Sequence, residues 1–186
     1  MIKGLNTLLF AKLTSDTTDQ TSGKAVYETP SKLSGAIEIK PKLNQNSAEL
    51  YADDTLQDAD YSVSTVGLTL TVDDDSDEIF CKLIGMKEDG EGGYDASVYD
   101  ESQAIGLGYI EVKGQGKYRV KFYPNCKVKP FDSDAKTKED KVSFQTPSVE
   151  ITASPLKNGK YKHQKTFSTS AEAVTYLNSL FTQAGA

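Results

Sequence analysis

The run from Ser64 to Val72 constrains the fold more than any other stretch of this chain. Val66, Leu68, Leu70 and Val72 alternate with Thr65, Gly67, Thr69 and Thr71. A period of two puts the four apolar side chains on one face of a β-strand and the Thr and Gly residues on the other. One face therefore belongs to a core. The other is half polar and suits solvent, a lumen or a partner.

Other segments read the same way. Leu5 to Leu13 is a first strand. Leu33 to Leu43 is a second, in which Ile37, Ile39, Pro41 and Leu43 alternate with Glu38, Lys40 and Lys42. Pro41 fits an edge or a turn. Residues 44–51 form a short segment ending in Leu50-Tyr51, and 52–62, with four aspartates, read as loop. Strands at 104–113 and 117–129 are joined around Gly114-Gln115-Gly116, a hairpin signal. Val142 to Ser154 is a strand interrupted by Pro147, and Lys160 to Phe167 is the last strand.

The period changes twice. Asp75 with Glu78 approximates a capping box, Ile79, Phe80, Leu83 and Ile84 give one apolar face, and Gly85 is a natural stop. That predicts a short helix lying on a sheet. Thr169 with Glu172 opens a second helix over 170–182, striped by Ala173, Val174, Leu177, Leu180 and Phe181. It either covers a sheet or serves as a C-terminal arm. Three segments lack a period: an arm or loop at 14–32, a glycine-rich and acidic loop at 86–103, and a charged loop at 130–141. The expected fold is mainly β with flanking helices, in a single domain over 1–186.

Composition limits the function classes. The formal net charge is -6 and Arg119 is the sole arginine, which is unlike a nucleic-acid binder with its basic stripe. Trp is absent, and the 10 Tyr suit sheets with one wet face and protein contact surfaces. Cys81 and Cys126 form no motif or disulfide framework. Met1-Ile2-Lys3-Gly4 opens no apolar h-region, so no secretory signal is expected, and no apolar run approaches the roughly 20 residues of a membrane span.

Catalytic chemistry has little to work with. His163 is the one histidine and lies in the Lys-rich stretch 160–165. No G-x-S-x-G elbow occurs, and zinc sites of Cys and His are nearly excluded by supply. Asp73, Asp75 and Asp77 copy the first ligands of a calcium loop, but Glu78 stands where its glycine belongs and Ile84 where its closing Glu belongs. An acidic helix start explains them better. The pairs Asp53-Asp54 and Glu88-Asp89 lie in loops, and Gly90, Gly92 and Gly93 have no phosphate-loop context. The lysines of 117–129 and 157–165 read as the wet faces of strands. A non-enzymatic protein without cofactor or metal is expected.

Several motifs, taken in order, resemble one known family. They begin with Gly4-Leu5-Asn6 and Ala11-Lys12-Leu13-Thr14, then Lys32-Leu33-Ser34-Gly35-Ala36-Ile37. The run Asn46-Ser47-Ala48-Glu49-Leu50-Tyr51-Ala52-Asp53-Asp54 is the most recognisable. Leu107-Gly108-Tyr109 ahead of Gly116-Lys117-Tyr118-Arg119 follows, then Phe144-Gln145-Thr146-Pro147-Ser148-Val149-Glu150. Together they are similar to the major tail proteins, or tail tube proteins, of long non-contractile-tailed bacteriophages of Gram-positive hosts. The segment 73–103 is more acidic and glycine-rich than in that family, and the match is looser beyond Ile151.

The resemblance implies a β-sandwich of the tail tube type with an extended loop and terminal arms. It implies hexameric rings stacked into a tube around a tape measure protein, closed by tail terminator and baseplate or tail-tip proteins. Double-stranded DNA would pass through transiently and without specific contact. The protein would be made in the bacterial cytoplasm and reside in the virion tail, with no membrane. On that reading the strands 33–43 and 64–72 line or support the bore, with Glu38 facing the lumen. Loop 86–103 orders on assembly and touches the next ring through Asp89, Gly90, Glu91, Tyr94 and Tyr99. Another tail or connector component of the same fold is the alternative, or a binding module using Tyr94 and Tyr99.

Overall fold

The structure, a computed structural model, describes residues 2–19, 23–33, 35–52, 55–73, 77–131 and 146–182; over 46–52, 55–61 and at 77 the description is of the backbone. The elements run in order as β1 (Ile2–Asp16), β2 (Ala25–Tyr27), β3 (Ser31–Lys32), β4 (Ala36–Ala52), β5 (Thr55–Val72), α1 (Asp77–Ile84), β6 (Lys87–Glu88), β7 (Tyr94–Asp95), β8 (Ala104–Lys113), β9 (Tyr118–Val128), β10 (Ser148–Ala153), β11 (His163–Phe167) and α2 (Ser170–Thr182). The protein is mainly β with two flanking helices. Among the described residues, nine strands share one open sheet in the order β2-β1-β8-β9-β10-β5-β4, with β11 joined to β9 and β3 to β1, while β6 and β7 pair separately.

The alternation in β5 is realised in full. Val66, Leu68, Leu70 and Val72 are buried, and Gly67, Thr69 and Thr71 are not. They pack with Leu8 of β1, Ile105, Leu107 and Tyr109 of β8, and Val149 and Ile151 of β10. Residues from both ends of the strand order thus meet in one core, so the sheet curls over on itself. Strand β9 makes the bend. Its first half, Tyr118–Phe122, pairs with β11, and its second half, Cys126–Val128, pairs with β10. Pro124, which has no N–H to give to a ladder, falls between the two.

Helix α1 closes this core with Phe80, Leu83 and Ile84. It ends at Gly85, whose φ is +92°. The Met86 N–H donates to Cys81 O at 3.0 Å and the Gly85 N–H to Lys82 O at 3.2 Å, a Schellman stop. A second core lies on the other side of β8 and β9 under α2. Ala173, Leu177 and Phe181 are buried there against Leu9, Ala11, Ile110, Val120 and Phe122. The Phe181 ring meets Phe122 edge-on at 5.0 Å and Tyr27 at 5.7 Å. Thr169 Oγ1 accepts from the Glu172 N–H at 3.3 Å, which is half of the capping box. Over Ser170–Thr182 the C-terminal helix is therefore docked on the sheet and is not an arm.

Three further expectations change. Residues 44–52 and 55–62 are strand, continuing β4 and β5, and not a short segment followed by loop. Backbone pairing between the two strands holds them extended; their polar residues had suggested loop. Within 14–32, Ala25–Tyr27 and Ser31–Lys32 fold back and pair with β1. The last strand starts at His163 and not at Lys160. Asp75, Ser34 and residues 132–145, which include Phe144, lie outside the described residues.

Candidate assembly surfaces

The hairpin of β4 and β5 outruns the sheet that carries it. Strand β10 supports β5 only from Val66 to Thr71. Beyond that, among the described residues, β4 and β5 pair solely with each other, from Asn44↔Thr65 to Ala52↔Thr55. At roughly 3.3 Å per residue the unsupported part is about 30 Å long. A two-stranded hairpin alone in water is marginal. Strand β4 is also the outermost strand of the sheet. Its outer N–H and C=O groups, unpaired among the described residues, form a template for another strand. Pro41, paired with Leu68, is tolerated because it sits on that edge.

Glu38 lies on this strand, exposed, with its Oε2 2.7 Å from Lys40 Nζ. Both side chains are at least half exposed, so the pair contributes little to stability. Ile37 and Leu43 are 53% and 47% exposed on the same strand. Of the motif residues, the backbones of Leu50, Tyr51 and Ala52 belong to β4 near the hairpin end, and Asp53 and Asp54 lie outside the described residues. Thr146 is exposed, and Pro147 O accepts from the Val72 N–H at 3.1 Å, seating the start of β10 beside β5.

A cleft of about 720 Å³ opens between β1 and β4, lined by Ile2–Leu5, Ile37–Pro41, Tyr109, Glu111 and Lys121. Its polar wall is a three-residue group on the β8–β9 hairpin. Glu111 Oε2 accepts from Arg119 Nε at 2.7 Å and also from Arg119 Nη2, and Glu111 Oε1 accepts from Lys121 Nζ at 2.6 Å. Only 10% of the Glu111 side chain is exposed. Burial alone would raise its pKa, but hydrogen bonds from Lys121 and Arg119 outweigh burial and hold it below the usual carboxylate value. Burial, with Lys121 and Arg119 nearby, pushes the Lys162 pKa down. The Tyr109 ring stacks beside Tyr123 at 6.4 Å, with Lys121 Nζ 5.7 Å from its centroid. Its buried hydroxyl makes no well-formed hydrogen bond among the described residues, although the Tyr123 hydroxyl lies close enough to interact with it. Burial pushes the Tyr109 phenol well up, and pushes that of Tyr123 to about 12.

Sequence reasoning missed this group, although a signal was present. Counting back from Gly114-Gln115-Gly116 pairs Glu111 with the sole arginine, Arg119, and Tyr109 with Lys121.

The segment 86–103 holds a small hairpin of β6 and β7. Asp89 Oδ1 accepts from the Glu91 N–H at 2.8 Å and the Gly93 N–H at 2.9 Å, so this residue shapes its own turn. These backbone bonds hold its pKa below the usual value. Gly90 and Glu91 are exposed, and the Tyr94 ring lies 6.0 Å from Lys82 Nζ. Tyr99 is 89% exposed next to Val98 at 93%. Val98 went unremarked in the sequence, since one valine in an aperiodic loop carries no pattern. The structure does not bring these loop residues to the cleft.

His163 Nε2 is 2.8 Å from the Tyr176 hydroxyl, a contact between β11 and α2. Burial, with Lys165 and Lys160 nearby, holds its pKa below the usual value. Neither cysteine is in a disulfide; Cys126 is fully buried, and burial pushes its thiol pKa up. Among the described residues no group of three or more His, Cys, Asp and Glu is placed to hold a metal ion. No helix among them is long and apolar enough to cross a membrane. Compared with known families the chain matches no family model, and a search of curated proteins returns no match.

Proposed function

We propose that this protein is a structural subunit of a phage tail tube. In this reading six copies close into a ring, and rings stack around a tape measure protein to form the conduit for DNA in the virion tail. Tail terminator and baseplate or tail-tip proteins would close the ends. The observation that carries the reading is the β4–β5 hairpin. Among the described residues it extends about ten residues past its supporting strand, with one edge unpaired. A soluble monomer gains nothing from such an element, while a neighbouring copy can cover it and satisfy its backbone groups. The ordered motif resemblance points to the same class of protein.

The fold supplies what such a subunit needs. The two cores on opposite sides of β8 and β9 make a stiff body. A head-to-tail contact between unlike surfaces can close into a ring. Strand β4 presents Glu38 and a mixed polar face to a bore, where acidic groups would keep phosphates from adhering. The exposed Val98 and Tyr99 are suited to a neighbouring ring. The role is one of assembly, with no catalytic step and no cofactor.

Replacing residues 46–61 by a two-residue Asn-Gly turn tests the reading. The shortened protein is expected to keep its β spectrum and its cooperative melt, because the support of β5 by β10 begins only at Val66. It should form no rings or tubes under negative-stain microscopy where the full chain does. Tubes of normal width from the shortened chain would contradict the proposal.

A further inference from the structure

The segment between α1 and β8 carries one sign of charge. Residues 88–101 hold six acids and no lysine or arginine. Glu88, Glu91, Asp95 and Glu101 are exposed, and none of the six is in an ion pair among the described residues. The segment also holds its own shape. The Gln103 N–H donates to Leu83 O at 2.9 Å, and Ser102 Oγ donates to Val128 O at 2.5 Å. Residues 97–100 make a closed turn: the Asp100 N–H donates to Ser97 O at 3.1 Å, and Asp100 Oδ2 accepts from the Ser97 N–H at 2.7 Å. Val98 and Tyr99, 93% and 89% exposed, are the two central residues of that turn. A turn fixed in this way presents an apolar pair at little ordering cost on binding.

The opposite charge collects along β11. Residues 151–171 hold Lys157, Lys160, Lys162 and Lys165 and no acid. All four lysines are exposed, and none is in an ion pair among the described residues. Lys160 and Lys165 share one patch, since both lie near enough to His163 to add to the effect of burial in lowering its pKa. Lys165 Nζ is 4.8 Å from the centroid of the Tyr176 ring and 5.3 Å from that of Phe167. Helix α2, packed beside the strip, adds one acid, Glu172.

We infer that the acidic loop of one copy, led by its 97–100 turn, docks on the lysine strip 160–165 of a second copy. Within one molecule the two surfaces are apart. The loop enters β8 at Ala104, opposite Lys127 of β9, whereas β11 flanks the other half of β9, residues 118–122. Among the described residues no ion pair joins loop and strip. The contact runs between molecules with a different surface on each side, and repetition gives a ring, a stack or a filament. Carboxylates of the loop meet the unpaired lysines. Val98 and Tyr99 leave water beside the half-buried rings of Phe167 and Tyr176. The lysines and most of the carboxylates are solvated before docking, so their attraction sets partner choice and association rate more than final stability, and salt weakens it.

This inference rests on the proposal of self-assembly and adds the surface that the loop meets. Its test uses charge reversal in the full chain. One variant carries Glu91→Lys and Asp95→Lys on the loop and keeps Asp89 and Asp100, which hold the turns. A second carries Lys160→Glu and Lys165→Glu on the strip. A third combines all four changes and so keeps the wild-type net charge. Sedimentation velocity over a concentration series reads assembly. The first two variants are each expected to need about tenfold more protein than the wild type to assemble, or to stay monomeric. The combined variant should assemble at wild-type concentrations, because every loop again meets a strip of opposite charge. That recovery also shows that the changes leave the chain folded. Single-surface variants that assemble like the wild type, or a combined variant that does not recover, overturn this contact and leave self-assembly standing. A wild-type chain that remains monomeric throughout overturns both.

Discussion

At the scale of single residues, the group Glu111, Arg119 and Lys121 is the most consequential. One carboxylate holds two cations in a place where its own side chain is nearly out of solvent. Breaking such a group is expensive because the remaining charges stay buried and unmatched. Glu111→Gln is expected to cost about 3 kcal/mol, measured by urea unfolding at neutral pH. The sign of its pH dependence follows from its lowered pKa. Unfolded, Glu111 binds protons in the ordinary carboxylate range; folded, it resists them. Its contribution is complete above the ordinary value and is lost as pH falls through the lowered one. The acid side of the stability profile should therefore be shallower in Glu111→Gln than in the wild type. An unchanged acid limb would mean that the carboxylate is not held in this way.

At the scale of elements, the helix α2 and strand β8 show how one small residue fixes a packing distance. A Cβ added at Gly108 would lie 2.4 Å from Leu177 Cδ1 and 3.1 Å from Phe122 Cδ2. The Leu107-Gly108-Tyr109 motif thus lets α2 approach the sheet. Gly108→Val is expected to cost about 2 kcal/mol by overpacking. It should also speed amide exchange over Ala173–Phe181, and protection equal to the wild type would refute this account. Both elements were legible in the sequence, and for physical reasons. Helix α2 declared its start by Thr169 and Glu172 and its buried face by the 3.6-residue stripe. The β8–β9 hairpin declared itself by the glycine-bearing turn. The extension of β4 and β5 stayed hidden, because its sequence shows no apolar alternation to mark a strand. Its aspartates then read as loop. Cross-strand pairing, which places Asp58 opposite Leu50 and Asp60 opposite Ala48, is a non-local fact that a linear pattern does not carry.

At the scale of the whole molecule, the sheet and its two cores account for the body, and the leftover parts point outward. Those parts are the projecting hairpin, the open edge of β4, the charged cleft and the exposed Val98-Tyr99 pair. The motif resemblance suggested a class of assembly and assigned ring contact to loop 86–103 and the bore to strands 33–43 and 64–72, but it did not single out the β4–β5 hairpin. The cleft was invisible in sequence because its two walls, Ile2–Leu5 and Ile37–Pro41, are far apart in the chain and come together only when the sheet curls. Glu38 was expected to face a bore on the strength of the resemblance; the structure puts it, exposed, on the outermost strand among the described residues and beside Lys40. Self-assembly is the claim on which the rest depends. Cryo-electron microscopy of the purified full chain at high concentration tests it most directly. The account predicts six-fold rings stacked into a hollow tube, with each β4–β5 hairpin lying against a neighbouring copy. A field of single, unassociated subunits at every concentration, or an assembly in which the hairpin touches no neighbour, would contradict it.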